Sequence, residues 1–344
     1  MKKIRAKKLA EIAKLAGVSE STASRALSGS NLVAEATRQR VSEVARLSNY
    51  SVNRNARDLR KRETRIVDVV APVWQDSMRL MSDPFLLEMI GVIADSLNEK
   101  GYEVLLSTKP PWADNWGHNS LVNGRADAVI LIDQGTETIK LRELTMAHKN
   151  VVVWGAQIEG EKYCTVGTDN FEGGRLATQH LLETGRRQIA YFGEATHPEG
   201  RQRLKGYKQA LRDNNVEIKE EFVFAAAWDS TTAHVSCDQL RAALESEAKI
   251  DGVFVSGDAL AMNVISNLAK AGVSIPGDIA VVGFDNISSA ELYNPPLTTI
   301  DQNIRLGGRM LVERALASIA GEAIEPFLIP PALIVRESSE SAVR

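Results

Sequence analysis

Apolar positions near the start of the chain recur at helical spacing, with Leu9, Ile12, Ala13 and Ala16 on one face. Gly17 predicts the end of that helix, because glycine takes up the left-handed conformation of a helix C-cap without strain. Ser19 is a ready N-cap for a second helix, Glu20–Leu27. Gly17-Val18-Ser19 therefore reads as a tight joint between two short helices. Val18 is expected to point inward, and Ala23 and Ala26 are small enough for close approach. Ser28-Gly29-Ser30 breaks the pattern. A third helix over about residues 36–47 places Val41, Val44 and Leu47 on one face, with Tyr50 closing a small core. The segment after Tyr50 is polar and basic and carries one isolated apolar pair, Ala56 and Leu59. A helix that short is unstable alone.

From Ile66 the periodicity changes. Short apolar runs (IVDVVAPV, YEVLLS, AVILI, VVVWG) alternate with amphipathic segments such as PFLLEMIGVIADSLNEK. A second series follows: FEGGRLATQHLLETG, QIAYFG, RQRLKGYKQALRDN, FVFAAAW, GVFVS, DALAMNVISNLAKAG and IAVVGFD. Such alternation predicts parallel sheets with helices on both faces. The strands are too many for one small sheet, so the fold class is α/β with two Rossmann-like lobes behind an all-α head. The lobe boundary is expected near residues 167–170. Pro295-Pro296 marks a return crossing, with TTID and a helix over 305–319 expected back in the first lobe. Ligands of open α/β sheets sit beyond the carboxyl ends of the strands. Trp74, Trp154, Glu194, Trp228, Gly257-Asp258 and Asp285 directly follow or end apolar runs and are candidates for that rim. Aromatic side chains there can stack on a sugar ring, and Asp, Asn, Gln and Arg can pair with its hydroxyls. For each tryptophan, plain core packing is the competing reading.

Charge sharpens this picture. Residues 1–65 hold 16 Lys and Arg against 6 Asp and Glu, while the other residues hold 25 against 38. A basic head on an acidic body points to an anionic partner for the head. The second helix offers Glu20, Ser21, Ser24 and Arg25 outward. Arg25 suits a bidentate contact to guanine O6 and N7, and Thr22 and Ser24 suit phosphates. Leu59 in its basic setting suits a wedge between base steps, or belongs to a flexible linker. No run of about 18 apolar residues is present, so no membrane span is expected. The amino-terminal stretch lacks an apolar core and cleavage site, which argues against a secretory signal. Cys164 and Cys237 make no disulfide framework or metal pattern. The glycine fingerprint of dinucleotide enzymes, the P-loop, HExxH and GxSxG are all absent, so an enzyme is not expected.

The head carries A-x-x-A-G-V-S-x-x-T-x-S-R, a T-R-x-x-V third helix, N-Y, and N-R-x-A-x-x-L. These motifs resemble the DNA-binding headpiece of the lactose-repressor (LacI/GalR) family. The body is similar to that family's periplasmic-binding-protein-like sensor in TDNFEGGRLATQHLLETG, RQRLKGYKQAL, VVGFDN and NPPLTTIDQN. The resemblance spans nearly the whole chain. It implies a helix-turn-helix DNA-binding domain over 1–52, a hinge over 53–65, and an effector-binding and dimerisation domain over 66–344. Within the last, an N-lobe of about 66–167 plus 298–325 and a C-lobe of about 168–297 plus 326–336 are expected. It further implies DNA contacts by Ser19, Glu20, Ser21, Thr22, Ser24, Arg25, Asn53, Arg54 and Ala56, with Leu59 as the intercalating leucine. Effector contacts are implied for Arg203, Asp285, Gln302 and Trp228, with Trp74, Phe85, Asn170, Glu172 and Asp258 completing the pocket. Two departures stand out. Gly257 replaces a common Asn, so Asp258 has the alternative of a helix cap. The segment 109–123 is untypical: Trp112, Trp116 and His118 line the cleft or cover a sheet edge. His180 reads as structural, and His197 as a weaker cleft contact. The implied protein is a cytoplasmic, cofactor-free homodimer that binds a pseudo-palindromic operator in double-stranded DNA, represses a carbohydrate-utilisation operon and responds to a small sugar, with a nucleobase or a sugar acid as the alternative ligand. Inducer and corepressor are both open, with the inducer favoured. The tail RESSESAVR carries no leucine heptad, so no tetramerisation helix is expected.

Overall fold

The computed structural model describes residues 8–27, 30–48, 50, 63–72, 80–112, 120–193, 195–225 and 250–340. Asn53, Arg54, Ala56, Leu59, Trp74, Trp116, His118, Glu194, Trp228 and Cys237 lie outside the described residues. The chain divides into two compact units, Met1–Thr64 and Arg65–Arg344.

The small unit holds helices α1 (Leu9–Ala16), α2 (Glu20–Leu27) and α3 (Glu35–Leu47). Gly17 sits at φ 63°, ψ 40°, and its N–H reaches the carbonyls of Ala13 and Lys14. Val18 N–H donates to Ala13 O at 3.0 Å, which satisfies a further free carbonyl of α1. Ser19 Oγ accepts the Thr22 N–H at 3.2 Å and so caps α2. Ile12, Ala16, Ala23, Ala26, Val41 and Ala45 form the core, against which Val18, Val44 and Tyr50 pack. Leu47, expected on the buried face of α3, is 62% exposed. Six residues beyond Val41 is about 240° round the helix, and Ala45 takes the inward position instead.

Among the described residues the large unit contains two six-stranded sheets. The first is built from β1 (Ile66–Val70), β2 (Glu103–Ser107), β3 (Ala128–Ile132), β4 (Val151–Trp154), β5 (Cys164–Thr168) and β11 (Phe327–Ile329), in the order β11-β5-β4-β3-β1-β2 and parallel throughout. The second is built from β6 (Ile189–Gly193), β7 (Val223–Ala225), β8 (Gly252–Val255), β9 (Ala280–Asp285), β10 (Thr298–Asp301) and β12 (Ala332–Ile334), in the order β12-β10-β9-β8-β6-β7. Only the β10–β12 pair is antiparallel there. Helices α4 (Pro84–Glu99), α5 (Thr138–Ala147), α6 (Asn170–Glu183), α7 (Pro198–Asp213), α8 (Asp258–Lys270), α9 (Ser288–Leu292) and α10 (Ile304–Ile319) connect and cover the strands. Capping is local: Asp83 accepts from Leu86 N–H at 3.2 Å for α4, and Asp169 from Glu172 N–H at 2.9 Å for α6.

The return path corrects the expected lobe assignment. Thr298–Asp301 is not in the first lobe; β10 runs beside β9 in the second sheet, Ile300 opposite Phe284. Helix α10 then packs on α4, β3, β4 and β5. Phe327–Ile329, expected in the second lobe, pairs with β5 in the first sheet, and only β12 returns to the second. Runs as short as TTID and FLI fit either sheet by pattern alone, and only their strand pairing assigns them. The crossing falls at Gln302-Asn303, not at the prolines. Asn303, at φ 52°, turns the chain and accepts the Leu306 N–H at 3.1 Å. Among the described residues no helix is long and apolar enough to cross a membrane.

Candidate functional site

A cleft lies between the two lobes at the carboxyl ends of β3, β4, β9 and β10. Phe85, Ile132, Asp133, Trp154, His197, Glu199, Gly200, Arg203, Asp285 and Gln302 line it. Its apolar wall is an aromatic pair, Phe85 from α4 and Trp154 from the end of β4, with ring centroids 6.0 Å apart. Gly307 of α10 lies flat on the indole: a Cβ there would come 2.3 Å from Trp154 Cζ3. Trp154 is thus packed from behind and presents only an edge to the cleft, 5% of its surface.

Opposite stands Arg203, buried on α7. Its Nε donates to Asn170 Oδ1 at 2.8 Å, and its Nη1 to the Ser256 carbonyl at 2.5 Å. The guanidinium lies 3.7 Å over the Phe284 ring, with Nη1 4.0 Å from Asp285 Oδ1. Asp285 Oδ1 also accepts from Gln302 Nε2. Asp285 sits at φ 127°, a conformation that non-glycine residues reach only where the surroundings enforce it. Two glycines bring Asn170 and Arg203 together. A Cβ on Gly174 would lie 2.2 Å from the Arg203 carbonyl oxygen, and one on Gly206 2.0 Å from that of Phe171. Helices α6 and α7 meet backbone to backbone at these points, which sets Asn170 against Arg203.

A third group crosses the cleft. Asp133, just past β3 in the first lobe, has Oδ1 3.2 Å from His197 Nδ1 in the second. Glu199 reaches back, its Oε1 accepting the Ala156 N–H at 3.2 Å. Burial, and then the nearby Asp133 charge, push the Glu199 carboxyl up to about 7. One donor atom from each of Asp133, His197 and Glu199 lies within 4.8 Å of the others, so a metal ion is the group this cleft could hold.

Of the effector residues expected from sequence, the cleft brings together Phe85, Arg203, Asp285 and Gln302. Asn170 does not line it but orients Arg203. Glu172 does not line it either; both its oxygens accept from Arg175 at 2.7 Å on the same helix. Asp258 is fully buried, accepting from Thr299 Oγ1 at 2.6 Å and Ile287 N–H at 3.0 Å. It braces the loop after β9, and burial and the neighbouring Asp285 push its carboxyl up to about 8. Trp112 packs against the cluster that Leu131, Leu141, Val153 and Tyr163 form on one face of the first sheet, its indole N–H donating to Glu137. Asp133 and Glu199 were missed. Asp133 follows the run AVILI, the same signal that marked the other rim positions. On the small unit, Glu20, Ser21, Ser24 and Arg25 of α2 are exposed on one side. The Ser19 and Thr22 hydroxyls are 2.8 Å apart and engaged in the cap.

Comparison with known proteins gives two family matches. The model for bacterial regulatory proteins, lacI family, matches residues 8–53, and that for a periplasmic binding protein-like domain matches residues 178–339. The HTH-type transcriptional regulator CelR of Thermobifida fusca is 31% identical over 344 residues, spanning 98% of this chain and 100% of its own. A solved complex of the transcriptional regulator CelR with cellobiose has a TM-score of 0.70 at 29% identity, covering 97% of this chain and 100% of that one. The lac repressor dimer bound to operator and the anti-inducer ONPF shares the fold, with a TM-score of 0.83 at 24% identity over 97% of this chain and 99% of that one.

Proposed function

This chain belongs to the lacI family of bacterial regulatory proteins and is a DNA-binding transcriptional regulator with a small-molecule effector; from that premise we propose that it represses a carbohydrate-utilisation operon and that a small sugar releases it from its operator. The observation that carries the sugar is the pairing, in one cleft, of the Phe85–Trp154 wall with the Arg203–Asp285–Gln302 array. An apolar face meets a fixed set of hydrogen-bonding groups, which is what a sugar ring presents in reverse. The cellobiose bound to CelR supports the same class. On the head, exposed Arg25, Ser21 and Ser24, with Glu20 beside them, would read base edges and phosphates while Ser19 and Thr22 stabilise the helix that carries them. Asn53, Arg54, Ala56 and Leu59 would serve the hinge. Two copies in the cytoplasm would face a pseudo-palindromic operator, since a two-fold protein matches a two-fold site. The half-exposed Leu87 of α4 supports that helix as the surface between copies. The cleft binds and does not turn over its ligand in this reading.

The test is titration of neutral saccharides, cellobiose among them, against an operator fragment from upstream of the chain's own gene. Allosteric coupling is typically about 1–3 kcal/mol, so the effective sugar should weaken operator binding by about 5- to 150-fold. A sugar that tightens binding would replace the inducer with a corepressor. No response to any saccharide would remove the sugar reading.

A further inference from the structure

We propose that Asp133, His197 and Glu199 form a divalent metal site that ties the two lobes together across the cleft. The donors are one imidazole nitrogen and two carboxylates, all within 4.8 Å of one another. They come from both sides: Asp133 from the end of β3, His197 and Glu199 from the start of α7. Inside a helix, residues two apart face away from each other. Here His197 is the N-cap of α7, extended at φ −75°, ψ 153°, and that break lets its ring and the Glu199 carboxylate converge. The 3.2 Å between His197 Nδ1 and Asp133 Oδ1 is already near the roughly 3.3 Å edge of a tetrahedron with metal–ligand bonds of about 2.0–2.1 Å. The Ala156 N–H on Glu199 Oε1 holds the third donor in place from the first lobe. A mixed imidazole and carboxylate set suits Zn²⁺ or Mn²⁺ better than an all-oxygen cation such as Ca²⁺.

Three protein ligands leave a fourth position, and these residues line the cleft. That position would accept a hydroxyl of the bound effector, as open zinc sites accept water or substrate. The metal would then act as a lobe-to-lobe tie whose last ligand comes from the signal. The site itself stands on the geometry of the three donors; only its fourth ligand rests on the sugar reading above.

The test uses the full-length protein, stripped with EDTA, dialysed and titrated with Zn²⁺ by calorimetry. One Zn²⁺ per protomer is expected. Asp133→Asn, His197→Gln and Glu199→Gln should each weaken binding by roughly tenfold or more, since even the outer partners of metal ligands are worth that much. Circular dichroism identifies any variant that fails to fold. Independently of the variants, Co²⁺ should give the wild type a visible absorption band that Zn²⁺ abolishes. No stoichiometric Zn²⁺ in the wild type, or folded variants that bind as tightly, would overturn the site. Operator release by saccharide, measured in EDTA and in Zn²⁺, separates the two readings. Release in EDTA without Zn²⁺ binding sinks the metal site alone. Zn²⁺ binding through the three residues without any saccharide response sinks the sugar reading alone.

Discussion

Arg203 is the side chain on which the cleft is built, and Asn170 is what aims it. Removing the Asn170 carboxamide leaves a buried guanidinium Nε without its 2.8 Å acceptor. Hydrogen bonds to charged groups are worth about 1.5–3 kcal/mol, so Asn170→Ala should raise the effector Kd by roughly 10- to 100-fold. Calorimetry with the effective sugar reads this directly; an unchanged Kd would mean that Ser256 and Asp285 suffice to hold the arginine. A second residue gives the molecule a pH response. His180 is buried with Nε2 2.7 Å from Ser339 Oγ, and burial lowers its pKa below 6.5. Between that ordinary value and the lowered one, this site binds more protons in the unfolded chain than in the folded one, so the contribution of His180 to stability falls as pH drops below about 6.5. Glu199 and Asp258, whose raised carboxyls act in the opposite sense, are common to both proteins, so from pH 8 to 5 the melting temperature of His180→Gln should rise relative to that of the wild type, and parallel curves would put the titration elsewhere. Arg203, Asp285 and Gln302 were readable in the sequence because each sits in a motif of several residues. Asp133 was legible as a rim position, since it follows the run AVILI; Glu199 was not, because its place in the cleft arises only when two lobes meet, and locally it is an ordinary acid. Glu172 and Asp258 misled for the opposite reason. Both stand at the start of a helix after a strand, yet one folds onto Arg175 and the other onto the loop after β9.

At the scale of elements, the joint between α1 and α2 shows how few residues fix a recognition surface. Gly17 supplies the left-handed turn and Ser19 the cap, and both were readable because the chemistry of a helix end is local. The consequence is a division of labour within α2. Ser19→Ala should cost about 1 kcal/mol of cap stability, seen as faster hydrogen exchange of the α2 amides in the full chain. Arg25→Ala should leave that exchange unchanged and instead lose about 1–3 kcal/mol of preference for operator over a mismatched site. If Arg25→Ala weakened both DNAs equally, the arginine would be a phosphate contact and not a base reader. Strand membership was the element-level feature that pattern could not supply. β10 and β11 are each short runs, and only hydrogen-bond pairing assigns one to each sheet.

For the whole molecule, the reading proposed above makes α4 the element that would join the effector to the second copy. Its first turn puts Phe85 into the cleft, while Leu87, two positions on, is 52% exposed on the other side. Its inner face is locked to α10, where Gly308 lies so close that a Cβ would come 2.6 Å from Val92 Cγ1. A helix clamped in this way moves as one body, so a ring that shifts Phe85 also shifts the surface around Leu87. Leu87→Glu places a charge on that surface without touching the cleft. Sedimentation should then report a monomer. Two tethered heads gain about 10²- to 10⁴-fold over one through effective concentration, so operator affinity should drop by about 100-fold or more. The sugar Kd of the same variant should stay within about twofold, because every cleft group belongs to one chain. A variant that remains a dimer would move the interface off α4, and with it the route by which the cleft reaches the DNA.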